Sequence, residues 1–518
     1  MGVLENVKKE IKVDTSPHVI IQALAGTGKT TTLVEGLKVL RFQKPSITPS
    51  KQQLAVWDAL TMSDSKATVC FVAFNKSIAT ELQSRVPTDC SAMTLHSMGY
   101  ASVRQVFSIN KPPNPSRVLE IISELLNRDI RDVRTNDMEF LRSTEKLVGL
   151  CKANLIQGDE NGLMGLCSHY DIELNGNQRR VFDIVPNVLE RCKDVAKDGC
   201  IDFDDMVWLP VVLDLPSQHY DLLLVDESQD LNRCQQALTM KTGNRLVLCG
   251  DKHQAIYGFA GADAESMQHM ENVLNESDRG VIILPLTQTR RCGHAIVAEA
   301  NKIVITFEAH EDNPKGCVSN GRFRVDSDEK NYTAYQNQVK DGDMCICRVN
   351  APLVQECFRF IKSGKKATIQ GRDIGQGLIN TIKKMKAIDI VDLTCKLSDW
   401  LHFETKKENA KRFPNEQRII TLQDRYDCLT CFCDGAVTIE EVTKRIENIF
   451  TDNKDNPGIR LSSIHKAKGL EADRVFLLEP EGATVPHPMA KSAWQVEQEW
   501  NLRYVAITRA IHELVYVK

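Results

Sequence analysis

No run of apolar residues in the 518-residue chain is long enough to span a lipid bilayer. The first residues lack the basic and then apolar segments that are typical of a secretory signal. The 17 cysteines are scattered and do not have the spacing of a disulfide framework. We therefore expect a protein of a reducing, intracellular compartment, cytoplasmic or in the nucleoid or nucleus, that is neither secreted nor associated with a membrane.

An excess of positive charge is also missing, because 65 Lys and Arg residues are balanced by 69 Asp and Glu residues and the net charge is −4. Any nucleic-acid partner would therefore have to bind a local basic surface. The sequence contains no internal repeat and no low-complexity tract. Its length is too great for one hydrophobic core, so we expect several compact units.

A glycine-rich segment near the N-terminus, residues 23–30 (ALAGTGKT), is the most informative part of the chain. It follows a short apolar run and precedes a helical pattern, which is the setting of a phosphate-binding P-loop. Gly26 and Gly28 allow the backbone to approach a polyphosphate, whose oxygens would bind the N–H groups at the helix start. Lys29 would place a positive charge on the outer phosphates, and Thr30 a hydroxyl ligand on Mg²⁺. The alternative is an ordinary glycine turn, which the matching flanks disfavour.

Two adjacent carboxylates follow another apolar run, residues 222–225 (LLLV). The carboxyl end of a strand is where ligands of open α/β sheets bind. There, Asp226 would hold Mg²⁺. Glu227 would polarise the water that attacks the terminal phosphate when a bound nucleotide is hydrolysed. Taken alone, the pair could be a solvated acidic turn. Because a P-loop precedes it, we interpret it as catalytic.

Apolar runs of strand length alternate with helical patterns, which predicts doubly wound α/β sheets. Runs 69–74 and 246–249 would join the P-loop strand in a first sheet, and runs 281–284, 344–347 and 475–478 suggest a second parallel sheet. Each α/β domain would carry a mainly helical insertion. The predicted units are a first α/β domain at residues 1–102 and 198–275, its insertion at 103–197, a second α/β domain at 276–376 and 457–518, and a short helical insertion at 377–456.

Several further segments, read in chain order, resemble the motifs of the UvrD/Rep branch of superfamily 1 helicases. They are residues 73–76 (AFNK), 94–97 (TLHS), 202–205 (DFDD), 226–230 (DESQD), 250–259 (GDKHQAIYGF), 286–291 (LTQTRR), 463–471 (SIHKAKGLE) and 504–510 (YVAITRA). With the P-loop, this many motifs in the family's order are far more specific than any one of them. The chain is thus similar to a compact UvrD/Rep-like DNA helicase.

The resemblance implies two RecA-like P-loop domains and ATP-driven movement along single-stranded DNA, usually 3′ to 5′, with separation of strands at duplex junctions. Arg291 and Arg509 match two arginines that reach the γ-phosphate from the second domain, so hydrolysis would depend on domain closure. The implied catalytic residues are Lys29, Glu227, Gln254, Arg291 and Arg509. The implied nucleotide-binding residues are Ala25, Gly26, Thr27, Gly28, Lys29, Thr30, Thr31, Gln254, Arg291, Glu471 and Arg509. ATP would be the substrate and Mg²⁺ the cofactor, with Thr30 and Asp226 as its ligands.

The same resemblance implies a track of base-contacting residues for single-stranded DNA. The predicted DNA-binding residues are Phe74, Asn75, His96, Tyr257, Phe259 and His465. Aromatic stacking suits a translocase because every base has a π-face and stacking tolerates any sequence. Phe74 could equally pack in the core, since it ends an apolar strand.

The sequence departs from the family pattern at the base end of the nucleotide site. The glutamine segment that usually lies just upstream of the P-loop is not found before Val19. Residues 48–53 (TPSKQQ) resemble it but follow the P-loop helix, so they are either a displaced equivalent or the start of an amphipathic helix. Arg290 stands where an aromatic residue commonly stacks on the base, and Ala260 where an arginine is common.

Two other functions are compatible with the same sequence features. The chain could be a translocase that displaces proteins from single strands without unwinding duplexes, or a nucleotide-gated DNA-binding scaffold with weak hydrolysis. Replication, repair and recombination are equally compatible with the sequence.

Cysteines at positions 428, 431 and 433 are close enough in sequence to suggest a metal site. A fourth ligand is not apparent, however. We favour the interpretation that they are small core residues of a helix.

Overall fold

The computed structural model describes residues 16–518 except 63–66, 171, 173, 175, 259–264, 324–333, 411–415, 452–457, 489 and 491. Within these residues, two large parallel sheets form the centres of two lobes. Each sheet has helices and a separate apolar cluster on either face. The mixed α/β architecture with two parallel sheets is therefore confirmed. Among the described residues, no helix is both long and apolar enough to cross a membrane.

The sheet of the first lobe has six parallel strands in the order β3-β2-β4-β5-β1-β6. The strands are β1 (His18–Ala23), β2 (Val69–Ala73), β3 (Cys90–Thr94), β4 (Tyr220–Val225), β5 (Gly243–Gly250) and β6 (Val281–Leu286). The P-loop follows β1, and the Asp226–Glu227 pair follows β4, so both lie at the carboxyl edge of the sheet.

Helices cover both faces of this sheet. They are α1 (Lys29–Leu40), α2 (Lys51–Ala59), α3 (Lys76–Arg85), α4 (Leu95–Phe107), α5 (Arg117–Leu126), α6 (Ile130–Asn136), α7 (Met138–Asn154), α8 (Glu160–His169), α9 (Gln178–Lys193), α10 (Val195–Asp198), α11 (Asp205–Val212), α12 (Arg233–Thr242) and α13 (Ser266–Asn275). Side chains alternate along a strand, so Val19 and Ile21 pack with α1 and α2 while Ile20 joins the cluster that includes the insertion helices α5 to α9.

Buried ion pairs attach the helical insertion to the first lobe. The guanidinium of Arg117 lies 2.5 Å from Asp205, and the ammonium of Lys152 lies 2.6 Å from Asp202 and 2.8 Å from Asp205. Both cations are about 1% exposed. Removing one partner would leave an uncompensated buried charge, so these acidic residues of segment 202–205 fix the insertion in place.

The second lobe begins with a two-stranded parallel sheet, β7 (Gln288–Thr289) and β8 (Glu308–Ala309). Its main sheet has seven parallel strands in the order β12-β11-β13-β10-β14-β15-β9. They are β9 (Cys317–Gly321), β10 (Met344–Cys347), β11 (Ala367–Gln370), β12 (Phe450–Thr451), β13 (Ile459–Ser463), β14 (Ala472–Leu478) and β15 (Ala510–Val517). The helices are α14 (His294–Ala300), α15 (Tyr335–Gln338), α16 (Ala351–Lys362), α17 (Arg372–Met385), α18 (Ile390–Asn409), α19 (Glu416–Cys433), α20 (Ile439–Ile449), α21 (Ile464–Ala467) and α22 (Ala493–Ile507).

Two expectations about strands were wrong. The run 281–284 does not belong to the second sheet, because β6 pairs in parallel with β1 of the first sheet from His18 to Ala23. The first-lobe sheet therefore extends to Leu286, beyond the expected domain limit at residue 275. The region 377–456 also contains a strand, the two-residue β12, which pairs with β11.

The cysteines near the end of α19 contribute to packing. Cys428 and Cys433 are buried among the apolar residues of the second lobe, together with Phe432. Among the described residues, no cluster of three or more His, Cys, Asp and Glu side chains is arranged to hold a metal ion.

His18 at the start of β1 makes stability sensitive to acid. Its Nδ1 accepts a hydrogen bond from the backbone N–H of Leu246 at 3.0 Å, and burial, followed by Arg279 and Arg245, lowers its pKa to about 4. The neutral imidazole thus stabilises the fold above the ordinary pKa of about 6.5, and this contribution is lost as the pH falls towards 4. A shift of this size corresponds to roughly 3 kcal/mol.

We expect His18→Asn, which keeps an acceptor at the same place but does not titrate, to flatten the loss of unfolding free energy between pH 6.5 and 4. Denaturant unfolding at several pH values measures this. Parallel curves for the variant and the unmodified protein would contradict the assignment.

Candidate nucleotide and nucleic-acid site

The P-loop has the backbone conformation that its glycines allow. Gly26 and Gly28 have φ values of 68° and 82°, in the left-handed region that favours glycine. A Cβ atom on Gly26 would lie 2.6 Å from the Cβ of Arg291, so glycine also permits the second lobe to pack directly on this turn. The N–H of Arg290 donates to the carbonyl of Gly26 at 3.0 Å. The turn is thus part of the contact between the lobes.

Lysine and carboxylates are concentrated beside the P-loop. The Nζ of Lys29 lies 3.7 Å from Oε2 of Glu227. Burial alone would lower the pKa of Lys29, but Glu227, Asp251 and Asp226 together raise it. The lysine is therefore a permanent positive charge at the start of α1.

Asp226 and Glu227 have different environments. Burial, followed by the charge of Glu227, raises the pKa of Asp226 above its usual range. Burial also acts on Glu227, but Lys29 and then Lys468 outweigh it and lower its pKa. Glu227 has a φ of 53°, a conformation that is strained for a residue with a side chain. Such strain is common where a side chain has to be aimed at a reacting group.

The donor set beside Asp226 fits a magnesium ion. The Thr30 hydroxyl donates to Oδ2 of Asp226 at 2.5 Å, so a hydroxyl and a carboxylate oxygen lie side by side where the charge of Lys29 also acts on Asp226. Hydroxyl and carboxylate oxygens are the ligands that Mg²⁺ takes at nucleotide sites. Thr30 and Asp226 are therefore able to hold the ion.

Gln254 lies in a short 3₁₀ helix after β5 and is buried. Its side-chain amide donates to Oδ2 of Asp251 at 2.7 Å. Its backbone carbonyl accepts from Nζ of Lys468 at 2.8 Å, and the same ammonium donates to Asp230 at 2.6 Å. A second-lobe lysine thus binds two first-lobe residues across the contact between the lobes.

Arg291 lies against the P-loop, and Arg509 is close enough to Arg291 for their charges to interact. Arg291 packs against Gly26, and its Nε binds Oε2 of Glu471 at 2.5 Å. Arg509 is 1% exposed, and its guanidinium donates to the carbonyls of Val505 at 2.9 Å and Leu470 at 3.1 Å. Burial, followed by repulsion from Arg291, lowers the pKa of Arg509 to about 10. Two neighbouring guanidinium groups at a phosphate-binding turn favour a bound anion.

A cavity of about 1470 Å³ opens beside the P-loop between the lobes. Its lining includes Thr27, Gly28 and Thr31 of the first lobe and Arg290 of the second lobe, together with the segment 47–53. It provides room for the nucleoside end of a nucleotide whose phosphates bind the P-loop.

The segment 48–53 forms a helix start. Ser50 caps α2 in a reciprocal arrangement with Gln53, whose amide also donates to Thr32 at 2.9 Å. The amide of Gln52 exchanges two hydrogen bonds with Thr287, at 2.9 and 3.0 Å. Residues of this segment therefore begin a helix and at the same time line the cavity beside the P-loop, as a displaced equivalent of the glutamine segment would.

Phe74 and Tyr257 form a pair of parallel rings. Their centroids are 6.2 Å apart with an angle of 14° between the planes, and Phe74 is 49% exposed rather than packed in the core. The ammonium of Lys468 lies 5.1 Å from the centroid of the Tyr257 ring. Stacking surfaces next to positive charge are typical of single-strand binding sites.

The other predicted DNA-binding residues are placed less directly. Asn75 caps α3, because its side-chain oxygen accepts from the N–H of Ile78 at 2.9 Å. His96 lies in the first turn of α4, and burial lowers its pKa although Asp204 opposes this. Burial, followed by Arg348, lowers the pKa of His465 to about 3, so this imidazole stays neutral. Phe259 and Ala260 lie outside the described residues.

Lys468 and Tyr504 were not among the predicted site residues, although both contact the first lobe. The hydroxyl of Tyr504 accepts a hydrogen bond from the N–H of Ala25 at 3.0 Å. A sequence signal was present, since Lys468 lies within the segment 463–471 and Tyr504 begins the segment 504–510. Only the contact between the lobes shows that Lys468 binds Gln254 and that Tyr504 binds Ala25.

Comparison with known proteins is consistent with this geometry. The chain is 23% identical over 566 residues to "F-box DNA helicase protein 1" of Schizosaccharomyces pombe, with 99% of this chain and 57% of that protein covered. It is 22% identical over 540 residues to "F-box DNA helicase 1" of Gallus gallus, covering 96% and 47%. It is 24% identical over 643 residues to "ATP-dependent DNA helicase PcrA" of Bacillus subtilis, covering 99% and 82%. The chain thus spans about half the length of the F-box relatives.

Family models cover most of the sequence. Residues 380–518 match the UvrD-like helicase C-terminal domain. Residues 4–275, more than half of the chain, match the UvrD/REP helicase N-terminal domain. The chain therefore belongs to the UvrD/REP helicase family.

Proposed function

We propose that the protein is an ATP-dependent DNA helicase that moves along single-stranded DNA in the 3′ to 5′ direction and separates strands at duplex junctions. The observation that carries this proposal is the packing of Arg291 against Gly26 and of Tyr504 against Ala25. It brings the second lobe onto the phosphate-binding turn of the first lobe. ATP bound between the lobes would therefore link hydrolysis to their movement.

The proposed chemistry is an in-line attack of water on the γ-phosphate. Backbone N–H groups of the P-loop and Lys29 bind and orient the phosphates. Glu227, kept ionised by Lys29 and Lys468, accepts a proton from the attacking water. Arg291 and Arg509 offset the negative charge that develops on the transferred group. Thr30 and Asp226 would hold Mg²⁺, which would supply further positive charge to the phosphate oxygens when bound.

Lys468 links the nucleotide site to the proposed DNA-binding residues. It binds the carbonyl of Gln254 and the carboxylate of Asp230 and lies over the ring of Tyr257. Gln254, an implied nucleotide-binding residue, and the ring of Tyr257 are thus joined to the same side chain of the second lobe. Opening of the cleft after hydrolysis would therefore break or shift the contacts of Lys468 with Gln254 and Tyr257 together and move the bound DNA strand.

The aromatic pair of Phe74 and Tyr257 is the proposed binding surface for the bases of DNA. Phe74 is half-exposed and parallel to Tyr257, and each base stacked on such a surface contributes about 1–3 kcal/mol. The names of the relatives in yeast, chicken and B. subtilis refer to DNA helicases, which supports DNA as the nucleic acid and an intracellular location. The direction of movement rests on the resemblance of the motifs.

Single-stranded DNA is expected to stimulate ATP hydrolysis strongly, because the Lys468 contacts link the two sites. A coupled assay with and without an oligonucleotide measures this, and an unstimulated rate would contradict the proposal in favour of a DNA-binding scaffold. Phe74→Ala should weaken the stimulation, whereas the exposed Phe42, which is 88% exposed, provides the matched control Phe42→Ala.

Duplexes with a single 3′ or 5′ tail test the direction and the unwinding step. We expect ATP-dependent separation of the duplex with the 3′ tail only. Displacement of streptavidin from a biotinylated single strand, without separation of either duplex, would instead identify a translocase that removes proteins.

A further inference from the structure

Tyr504 makes a direct contact between the lobes, and the catalytic scheme above gives its hydroxyl no role in hydrolysis. It lies in α22 of the second lobe and is fully buried, at 0% exposure. Its hydroxyl accepts the backbone N–H of Ala25, inside the P-loop, at 3.0 Å. A buried N–H without such a partner would cost free energy, so the contact stabilises this arrangement of the turn.

The ring of Tyr504 is held in a fixed orientation from both lobes. His253 of the first lobe, next to Gln254, meets it edge-on with centroids 6.0 Å apart. Phe307 of the second lobe meets it at 5.9 Å, again edge-on. The hydroxyl therefore reaches the P-loop only when the lobes are in contact and this packing is complete.

Tyr504 is also connected to Arg509, which follows the C-terminal end of its helix. Its carbonyl accepts from the N–H of Thr508 at 3.0 Å and from the Thr508 hydroxyl at 2.9 Å. The guanidinium of Arg509 in turn donates to the same hydroxyl at 3.2 Å. The end of α22, which Thr508 and Arg509 directly follow, is thus attached through Tyr504 to the backbone of the P-loop.

We propose that Tyr504 is a positioning residue for ATP hydrolysis, whose hydroxyl locks the end of α22 onto the P-loop so that Arg509 reaches the γ-phosphate. The inference rests on the proposed binding of ATP at the P-loop. The hydroxyl acts in the closed state, in which hydrolysis occurs, and contributes little to the binding of nucleotide by the first lobe alone. Its removal therefore lowers kcat rather than raising KM.

Tyr504→Phe removes only the hydroxyl and keeps the ring between its neighbours. The chain offers a matched control in Tyr516→Phe, because Tyr516 is also a buried second-lobe tyrosine and its hydroxyl donates to Glu299 at 3.0 Å, a residue of its own lobe. The probe is ATP with Mg²⁺ and saturating single-stranded oligonucleotide. Rates are normalised to the number of sites that bind ADP, so that unfolded protein does not count.

For Tyr504→Phe we expect about a tenfold loss of kcat with an unchanged KM for ATP, and for Tyr516→Phe no change in either. An unchanged kcat in Tyr504→Phe would overturn the inference. So would a rise in KM alone, or an equal loss of kcat in both variants. Failure of the proposed function is distinguishable, because single-stranded DNA would then fail to stimulate ATP turnover of the unmodified protein.

Discussion

Glu227→Gln is expected to bind ATP normally and to hydrolyse it about a thousandfold more slowly, because the amide cannot accept a proton from the attacking water. The side chain occupies nearly the same volume, so the fold and the P-loop contacts persist. Turnover is measured by phosphate release, and binding by displacement of a fluorescent nucleotide. Lys29→Ala, by contrast, removes the charge on the outer phosphates and is expected to abolish turnover.

A matched control is Glu35→Gln. Glu35 is a buried carboxylate of the same lobe that binds Lys38 at 2.7 Å and is not among the residues of the cleft. Its replacement should leave turnover unchanged. If Glu227→Gln retained the full rate, the base would have to be another group.

Loss of either second-lobe arginine is expected to lower kcat about a thousandfold, with little effect on nucleotide binding by the first lobe. Arg291→Ala and Arg509→Ala should not be additive in the double variant, because both guanidinium groups act on the same transferring phosphoryl. Steady-state kinetics of the two single variants and the double variant measure the coupling.

Arg445→Ala serves as the control for this series. Arg445 also donates to several backbone carbonyls, those of Phe432, Asp434 and Gly435, but it lies in the helical insertion of the second lobe. Its replacement should affect thermal stability more than turnover. Strictly additive losses for Arg291 and Arg509 would mean that the two residues act at different steps.

Local sequence patterns were sufficient to predict the elements around the P-loop. An apolar run, a turn with two glycines and a helical pattern specify β1, the phosphate-binding turn and α1, because each depends on neighbouring residues. The same holds for Asp226, which follows four buried leucine and valine residues of β4.

The order of strands within a sheet was not predictable in the same way. The run 281–284 is an edge strand with exposed positions, and nothing in its residues states whether it pairs with β1 or with a strand of the second lobe. Pairing of distant parallel strands is decided by the path of the whole chain. The contacts of Lys468 and Tyr504 between the lobes were not predictable for the same reason. Their partners are hundreds of positions away in sequence.

In the proposed cycle, the first lobe binds one ATP, and residues of the second lobe complete the catalytic site around it. A structure of the protein with Mg²⁺ and a non-hydrolysable ATP analogue tests it most directly. We predict that the guanidinium groups of Arg291 and Arg509 and the ammonium of Lys29 lie about 3 Å from oxygens of the terminal phosphate. A terminal phosphate contacted only by first-lobe residues, with both arginines bound elsewhere, would contradict the account.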